Sequence, residues 1–543
     1  MVRIKAHLRA VPPVEEQTQH AIATSTLVVI AATLGSVLLG FVREIVNARY
    51  YGTQWQMDTF LAAATIPTIL FGVFNGALVS ALIPTFTHYL TRGEEDEAWR
   101  VASTIINLLF LVLTAGAVLG YIYAPYYVPV IAHGFPGPQM GVAIHMTRWL
   151  MPTIVAVSLS GVVSAMLNAY HRFRATSLVG IALNIVTIVC VVLLNHRLGI
   201  FSLVLGTTLG IIAQLAVQLP SFLSVRKYHF CIDLKHPGLQ TVWTMLGPIV
   251  VGSAAGQIAI FFDRYFASTL TPGYMAGMNY VIKLVSFPQQ IFAAAIATVI
   301  FPLLAAQFAN ANRAGVKQST IMGLRVVNFI TIPAVCVLIV LAKPIVQTLF
   351  ERGIFAATAT ALCSGLMPFA AVGLIAVAAN IVLTRCCFAC KETRWTVAIS
   401  VFSVLVNVLL SLVWLPTLGA RGLLLANSIS QSLQAAMLFV LVWNLLGGLP
   451  WKPLVYSALK ICASAMAMVA SLHWIHALGA VPAPSLVARS WYLFGQLSIS
   501  GLVFVAVARL LNVEELTIAT QLIMQKFVRN VVSPPENSEA PIA

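Results

Sequence analysis

An all-α, polytopic membrane fold is what this sequence predicts, on three observations. Only 9% of its 543 residues are charged and 59% are hydrophobic. Mean hydropathy is +0.92. Apolar runs of 18 or more residues recur from end to end, each long enough to cross a bilayer as a helix. A transmembrane β-barrel would show alternating ten-residue strands instead.

The runs place fourteen spans, at about 21–46, 57–90, 101–123, 143–168, 175–195, 199–222, 240–268, 274–308, 318–342, 358–384, 395–416, 420–444, 455–478 and 490–511. The first is too long for the apolar core of a cleavable signal and is followed by no small-residue cleavage pattern, so it is expected to remain as a span. The second and eighth exceed a straight crossing and must tilt, protrude or kink. Pro67 and Pro288 offer the kinks. After the last span, residues 512–543, ending "SPPENSEAPIA", read as a short amphipathic stretch and a polar tail.

A net charge of +15 could suggest nucleic acid, but its distribution reports topology. Placing the N-terminus inside puts Arg3, Lys5, Arg9, Arg92, Arg100, Arg172, Arg174, Arg226, Lys227, Lys235, Arg313, Lys317, Arg385, Lys391, Arg394, Lys452, Lys526 and Arg529 on the cytoplasmic side. The opposite connections mostly hold one basic residue or none, with Lys343 and Arg352 the richest pair. This is the positive-inside bias, and an even span count puts both termini in the cytoplasm. The basic balance therefore points to anionic lipid and not to a nucleic-acid partner.

Three features recur about 220 residues apart. "IPTILFGVFNGALVSALIPTF" (66–86) resembles "FPQQIFAAAIATVIFPLLAAQF" (287–308); "GIFSLVLGTTLGIIAQLAVQL" (199–219) matches "GARGLLLANSISQSLQAAMLF" (419–439); "FVREIVNARYYG" has a counterpart in "FFDRYFASTL" (261–270). A period of six spans makes a parallel repeat of two six-helix lobes, with a substrate path between them. The expected organisation is a cytoplasmic segment 1–20, an N-lobe 21–222, a C-lobe 223–444, two further helices within 445–511 and a cytoplasmic tail 512–543.

No Walker A, HExxH, GxSxG or EF-hand pattern occurs, and the loops are too short for a catalytic domain. The chain is therefore read as a transporter, needing no cofactor beyond a coupling ion, Na⁺ or H⁺. "RCCFAC" (Cys386, Cys387, Cys390) lacks a second pair or a nearby His to complete a tetrahedral set, so these are read as buried helix-end residues. His171, His229 and His236 fall in loops and are read as solvated surface. What remains is the ionisable residues inside spans: Arg43, Glu44, Asp58, Arg148, Asp263, Arg264 and Lys283. Charges at bilayer depth are paired, snorkelling or functional. Arg43 is expected to face the inter-lobe path, balanced by Glu44 or Asp58, and cations there suit a phosphate or diphosphate headgroup.

In order, "LGFVREIVNARYYG…MDTFLAAATIP…ALIPTF", "LNAYHRF", "QIAIFFDRYFASTL", "YVIKLVSFP" and "LFERGIF" resemble the motifs of the MurJ (MviN) family, over about residues 21–511. These are lipid II flippases of the multidrug/oligosaccharidyl-lipid/polysaccharide exporter superfamily. The resemblance implies fourteen helices, two lobes and a groove for a polyprenyl tail on the last two. It implies a substrate site at Arg43, Asp58 and Lys283, with Glu44 in place of the usual Asp and Lys283 in place of an Arg. Arg264 and Arg148 are further in-span candidates for phosphate contact. It also implies a Na⁺ site at Asp263, Asn407, Ser411 and Ser428. Val37, Phe71, Gly72 and Ser286 depart from the family's charged positions, which leaves a flippase for another lipid-linked glycan, such as an exopolysaccharide repeat unit, as the alternative. A drug/cation antiporter of the same superfamily would want an acidic cavity. A lipid-linked glycan partner, membrane lipids and the bacterial inner membrane follow from the leading reading; the oligomeric state is left open.

Overall fold

The computed structural model describes residues 14–225, 227–477 and 485–517, the side chains of 14–28, 30, 74–80, 248–249, 251–253, 255, 291–300 and 476 excepted. The expected C-terminal tail lies outside the described residues beyond Thr517, and the expected N-terminal segment before Val14. Every regular element among the described residues is a helix, as the composition requires. Eleven helices are long and apolar enough to cross a membrane, or twelve if one bent pair counts as a span. Two more long helices, Pro237–Ser268 and Tyr274–Ala309, occupy the expected seventh and eighth positions and include side chains outside the described set.

The chain forms two compact units, one of residues up to Ala276 with Arg352–Phe355, the other of Gly277–Glu351 and the residues from Ala356 onward. The first contains α1 (Val14–Tyr51), α2 (Trp55–Ala63), α3 (Thr65–Thr91), α4 (Glu95–Ile131), α5 (Gly137–Leu150), α6 (Thr153–Ala169), α7 (Phe173–Ser177), α8 (Val179–Leu198), α9 (Phe201–Leu223) and α10 (Pro237–Ser268). α11 (Tyr274–Ala309) begins in this unit, and its body belongs to the second. The second continues with α12 (Arg313–Val340), α13 (Ala342–Phe350), α14 (Ala357–Ala371), α15 (Gly373–Ala389), α16 (Arg394–Leu418), α17 (Ala420–Leu446), α18 (Trp451–Ala477) and α19 (Leu486–Leu510). The seventh-span helix α10 packs on α3 and α4, within the first unit.

The helix breaks have identifiable causes. The long second run is two helices, α2 and α3, parted at Ala64. Pro67 follows three residues later and has no N–H to give the Ala63 carbonyl. That carbonyl is met instead by Thr147 Oγ1 on α5, at 3.3 Å. α14 and α15 meet at a 41° bend at Val372, where the Ser428 hydroxyl of α17 donates to the Phe369 carbonyl at 2.7 Å. At the α5–α6 break the Thr153 hydroxyl donates to Leu150 O, at 2.5 Å. At each of these three breaks a hydroxyl donates to a carbonyl, which suits a medium that offers no other partner.

The repeat is visible in the backbone. His171 (φ 58°) and Lys391 (φ 60°) take the same rare left-handed conformation 220 residues apart. Gly199 and Gly419, also 220 apart, both sit near φ +55°, ψ −133°, between the helices of a hairpin. A residue with a Cβ is strained in that region.

In the first unit the core gathers around Trp99, fully buried, with Phe86 and Phe222. Trp99 Nε1 donates to the Tyr170 hydroxyl (2.8 Å), which donates to Glu95 (2.6 Å), tying α4 to α6. In the second, Cys386 and Cys387 pack as small apolar residues in the core, and Thr320 donates to the Cys386 sulfur at 3.2 Å. One expectation fails here: His236 is not solvated surface. It is 6% exposed, its Nδ1 accepts from Gly238 N–H as the N-cap of α10, and its Nε2 lies 2.7 Å from Glu97.

Beyond α19 the chain is pinned. Arg325 on α12 donates to both Glu514 and Glu515, and Ser457 on α18 donates to Glu515 at 2.6 Å. Burial alone would push the Glu515 carboxyl up. Hydrogen bonds from Ser457, its own backbone and Arg325, with the Arg325 charge, together hold it below the usual carboxylate range. A carboxyl depressed in the folded state contributes stability that is present above its unfolded pKa and lost as pH falls through the folded value. Glu515→Gln should therefore cost about 1.5–3 kcal/mol at neutral pH and flatten the acid-side loss of stability. Thermal unfolding of the purified protein at pH 7 and below the carboxylate range measures both effects.

Candidate functional site

The charged residues of the first unit sit where helices end and turns pack. The turn after α1 has no room for side chains. Gly52 (φ +53°) faces the Ile354 carbonyl, where a Cβ would come within 3.1 Å, and a Cβ on Gly273 (φ +95°) would come within 2.3 Å of the Thr53 carbonyl. Ile354 N–H donates to Arg49 O at 2.9 Å. "LFERGIF" therefore contributes its residues 352–355 to this turn. The Arg352 guanidinium is pushed below its ordinary value by burial and then by the nearby charge of Arg49. Proximity of these two arginines, about 300 residues apart, leaves no trace in the sequence, where Arg352 is a loop charge.

Asp58, in the first turn of α2, is 3% exposed. Its two carboxylate oxygens accept from Gly273 N–H (2.5 Å) and Ala276 N–H (2.7 Å). These donors open α11, so Asp58 caps a helix 215 residues away, with a full negative charge where the helix dipole and its unpaired N–H groups favour one. Asp58 is thus not the partner of Arg43. Arg43 Nη2 pairs with Glu44 Oε1 at 3.0 Å, the two side chains 24% and 7% exposed. Arg264 lies in the fields of Asp263 and Asp58. Arg148, in the last turn of α5, donates from Nε to the Tyr121 carbonyl at 3.1 Å and lies over the Tyr121 ring, 5.2 Å from its centroid. It braces α5 against α4.

Gly72, where a family arginine was expected, is covered by the side chain of Gln257 on α10. A Cβ at 72 would lie 2.3 Å from the Gln257 amide nitrogen, so any larger residue there would have to displace this glutamine.

In the second unit Lys283 is exposed on α11 among buried Val281, Leu284 and Val285. Among the described residues no carboxylate pairs with it. Asn407 and Ser411 lie one turn apart on α16 and are buried, as is Ser428 on α17. Ser411 Oγ has no hydrogen-bond partner among the described residues, and Ser428 Oγ, having donated its proton to Phe369, keeps its lone pairs. Neutral hard oxygens of this kind fit a monovalent cation and not a soft metal. Asp263 belongs to the first unit.

A family model described as "Lipid II flippase MurJ" matches residues 47–483. A "Probable lipid II flippase MurJ" of Vibrio cholerae is 30% identical over 432 residues, covering 76% of this chain and 82% of that one. One from Buchnera aphidicola is 27% identical, covering 76% and 81%. Among solved structures, "Lipid II flippase MurJ, inward closed conformation" superposes with a TM-score of 0.75 at 21% identity, over 93% of this chain and all of that one. An inward-facing MATE family multidrug transporter of the MOP superfamily reaches 0.65 at 14% identity, over 78% and 98%.

The Asp58 cap can be tested directly. Asp58→Ala removes two charge-assisted hydrogen bonds from buried donors and should lower stability by about 2–5 kcal/mol. Asp58→Asn, which keeps one acceptor oxygen, should fall between it and wild type. Thermal unfolding in detergent ranks the three; wild-type stability in the alanine variant would contradict the cap.

Proposed function

Because the chain belongs to the lipid II flippase MurJ family, we propose that it moves undecaprenyl-diphosphate-linked peptidoglycan precursor, lipid II, from the inner to the outer leaflet of the bacterial cytoplasmic membrane by alternating access. It is a multi-span membrane transporter and not an enzyme. A family model covering residues 47–483 carries this reading, and the chemistry of the in-span residues supports it. Arg43 sits at membrane depth with one guanidinium nitrogen on Glu44. A guanidinium has five donors in a fixed fork, so the rest of that fork suits a phosphate oxygen of the diphosphate. Lys283 is an exposed point charge on α11. Arg264 and Arg148 supply further positive charge, while Asp58 holds the start of the helix that carries Lys283.

The polyprenyl tail, a pure hydrocarbon, needs an apolar track. α18 and α19 offer exposed Tyr456, Leu459, Met466, Trp491, Phe494 and Leu502. The buried oxygens of Asn407, Ser411 and Ser428 in the second unit support Na⁺ as the coupling ion; H⁺ is the other candidate. Both termini are placed in the cytoplasm by the positive-inside bias.

Expression in a strain depleted of its own lipid II flippase tests the function: growth and normal cell shape are expected. Growth failure with flipping of another lipid-linked glycan intact would assign the chain to exopolysaccharide export instead. In the same strain Arg43→Ala should abolish rescue while membrane protein level stays near wild type. The Arg43→Ala/Glu44→Ala double variant, which removes the uncompensated acid, should still fail; recovery in the double variant would make the pair structural.

Lys283→Ala should be more damaging than Lys283→Arg, since arginine restores charge with a fork better suited to phosphate. Losing one charge-assisted contact, about 1.5–3 kcal/mol, corresponds to roughly a tenfold to hundredfold weaker binding. Arg264→Ala and Arg148→Ala should each impair transport measurably in reconstituted vesicles, and dispensability of both would refute their part in phosphate contact.

A further inference from the structure

The first unit carries an apolar groove that the transport reading does not use. It lies between α4 and α10, has a volume of 280 Å³, and is walled by Leu108, Leu109, Val112, Leu239, Trp243 and Leu246 among others, with no polar side chain in its lining. We propose that this groove is a phospholipid site of the cytoplasmic leaflet, holding one acyl chain between α4 and α10 with its phosphate headgroup at Lys235.

Three observations converge on that occupant. First, the groove runs along α4, which contains a stretch long and apolar enough to cross a membrane, so a chain without polar groups is what it can take. Second, the segment just before α10 marks the membrane interface. Residues 228–234 lie against the start of α4: Asn107 Nδ2 donates to Cys231 O (2.9 Å), Tyr228 donates to Asn107 Oδ1 (2.7 Å), Asp233 N–H donates to Thr104 Oγ1 (3.2 Å), and Arg100 pairs with Asp233 (3.1 Å). The alternate residues point away: Phe230 is 79% exposed, Ile232 47% and Leu234 59%. Such an apolar row on a polar-anchored ribbon belongs at the headgroup–acyl boundary. Trp243, half exposed in the groove wall one turn below, is the residue type that favours that level.

Third, there is a charge for the headgroup. Lys235 follows the ribbon and precedes Leu239 of the groove by four residues; its side chain is exposed, and no carboxylate pairs with it among the described residues. The neighbouring acids are engaged elsewhere: Asp233 by Arg100, Glu95 and Asp96 by Lys227, and Glu97 by His236. At about 30 Å³ per methylene, close to the share of one water in the liquid, the groove takes on the order of ten carbons, the buried part of an acyl chain and a small fraction of a long polyprenyl tail.

Gly247 makes the test clean. It lines the groove, and a Cβ there would meet nothing within 4 Å, so Gly247→Phe fills the space without a backbone clash. Full-length protein would be reconstituted in vesicles of phosphatidylglycerol and phosphatidylethanolamine doped with a phospholipid bearing a diazirine on one acyl chain, irradiated and digested. Peptides covering 105–113 and 239–250 should be labelled in wild type. Labelling should be lost in Gly247→Phe and fall severalfold in Lys235→Glu, an exposed position whose exchange leaves the groove intact. Labelling of both peptides undiminished in Gly247→Phe, or lost to competing undecaprenyl phosphate while excess phospholipid has no effect, would overturn the assignment. Absence of label from both peptides in wild type would do so equally.

Discussion

Hydrocarbon offers no partner to a backbone polar group, and the described part of this fold can be followed as the working-out of that constraint. Straight helices meet it by themselves. Where a helix must break, at Ala64, Met151 and Val372, a hydroxyl from Thr147, Thr153 or Ser428 takes the freed carbonyl. Where a helix must begin in a buried place, at Tyr274, a carboxylate is imported from another helix to take its N–H groups. These polar side chains let the chain bend or start inside a low-dielectric medium.

That view changes how an in-membrane acid should be read. Asp58 looks from its position like a member of a charged substrate site, yet both its oxygens are taken by backbone donors. What it fixes is the start of a helix whose tenth residue is Lys283. Arg43 differs in kind. Its partner is its own neighbour, and the pair sets no helix terminus.

Much of the architecture was legible in the sequence, because hydropathy and helix length are properties of single segments. The helical class, the run of long apolar helices and the break near Pro67 could all be read from runs and prolines. The repeat was legible too, and the matched left-handed residues at 171 and 391 express it in the backbone. What could not be read was contact between distant segments. The Asp58 cap joins residues 215 apart, the 352–355 segment lies against the first turn, and His236 is drawn under Glu97 and Tyr89. None of these leaves a periodic trace. A loop histidine and a loop arginine look solvated in one dimension, and only packing reveals that they are not.

The repeat also exposes an exchange of sign. Counting 220 residues on from Arg43 and Glu44 arrives at Asp263 and Arg264, so the duplicated helices kept the place of their charged pair and swapped acid for base. Duplication alone would present any polar molecule with the same electrostatic face twice, and nothing in such a scaffold could tell one end of a headgroup from the other. With the signs exchanged the two copies are no longer electrostatically interchangeable, although the fold that carries them repeats.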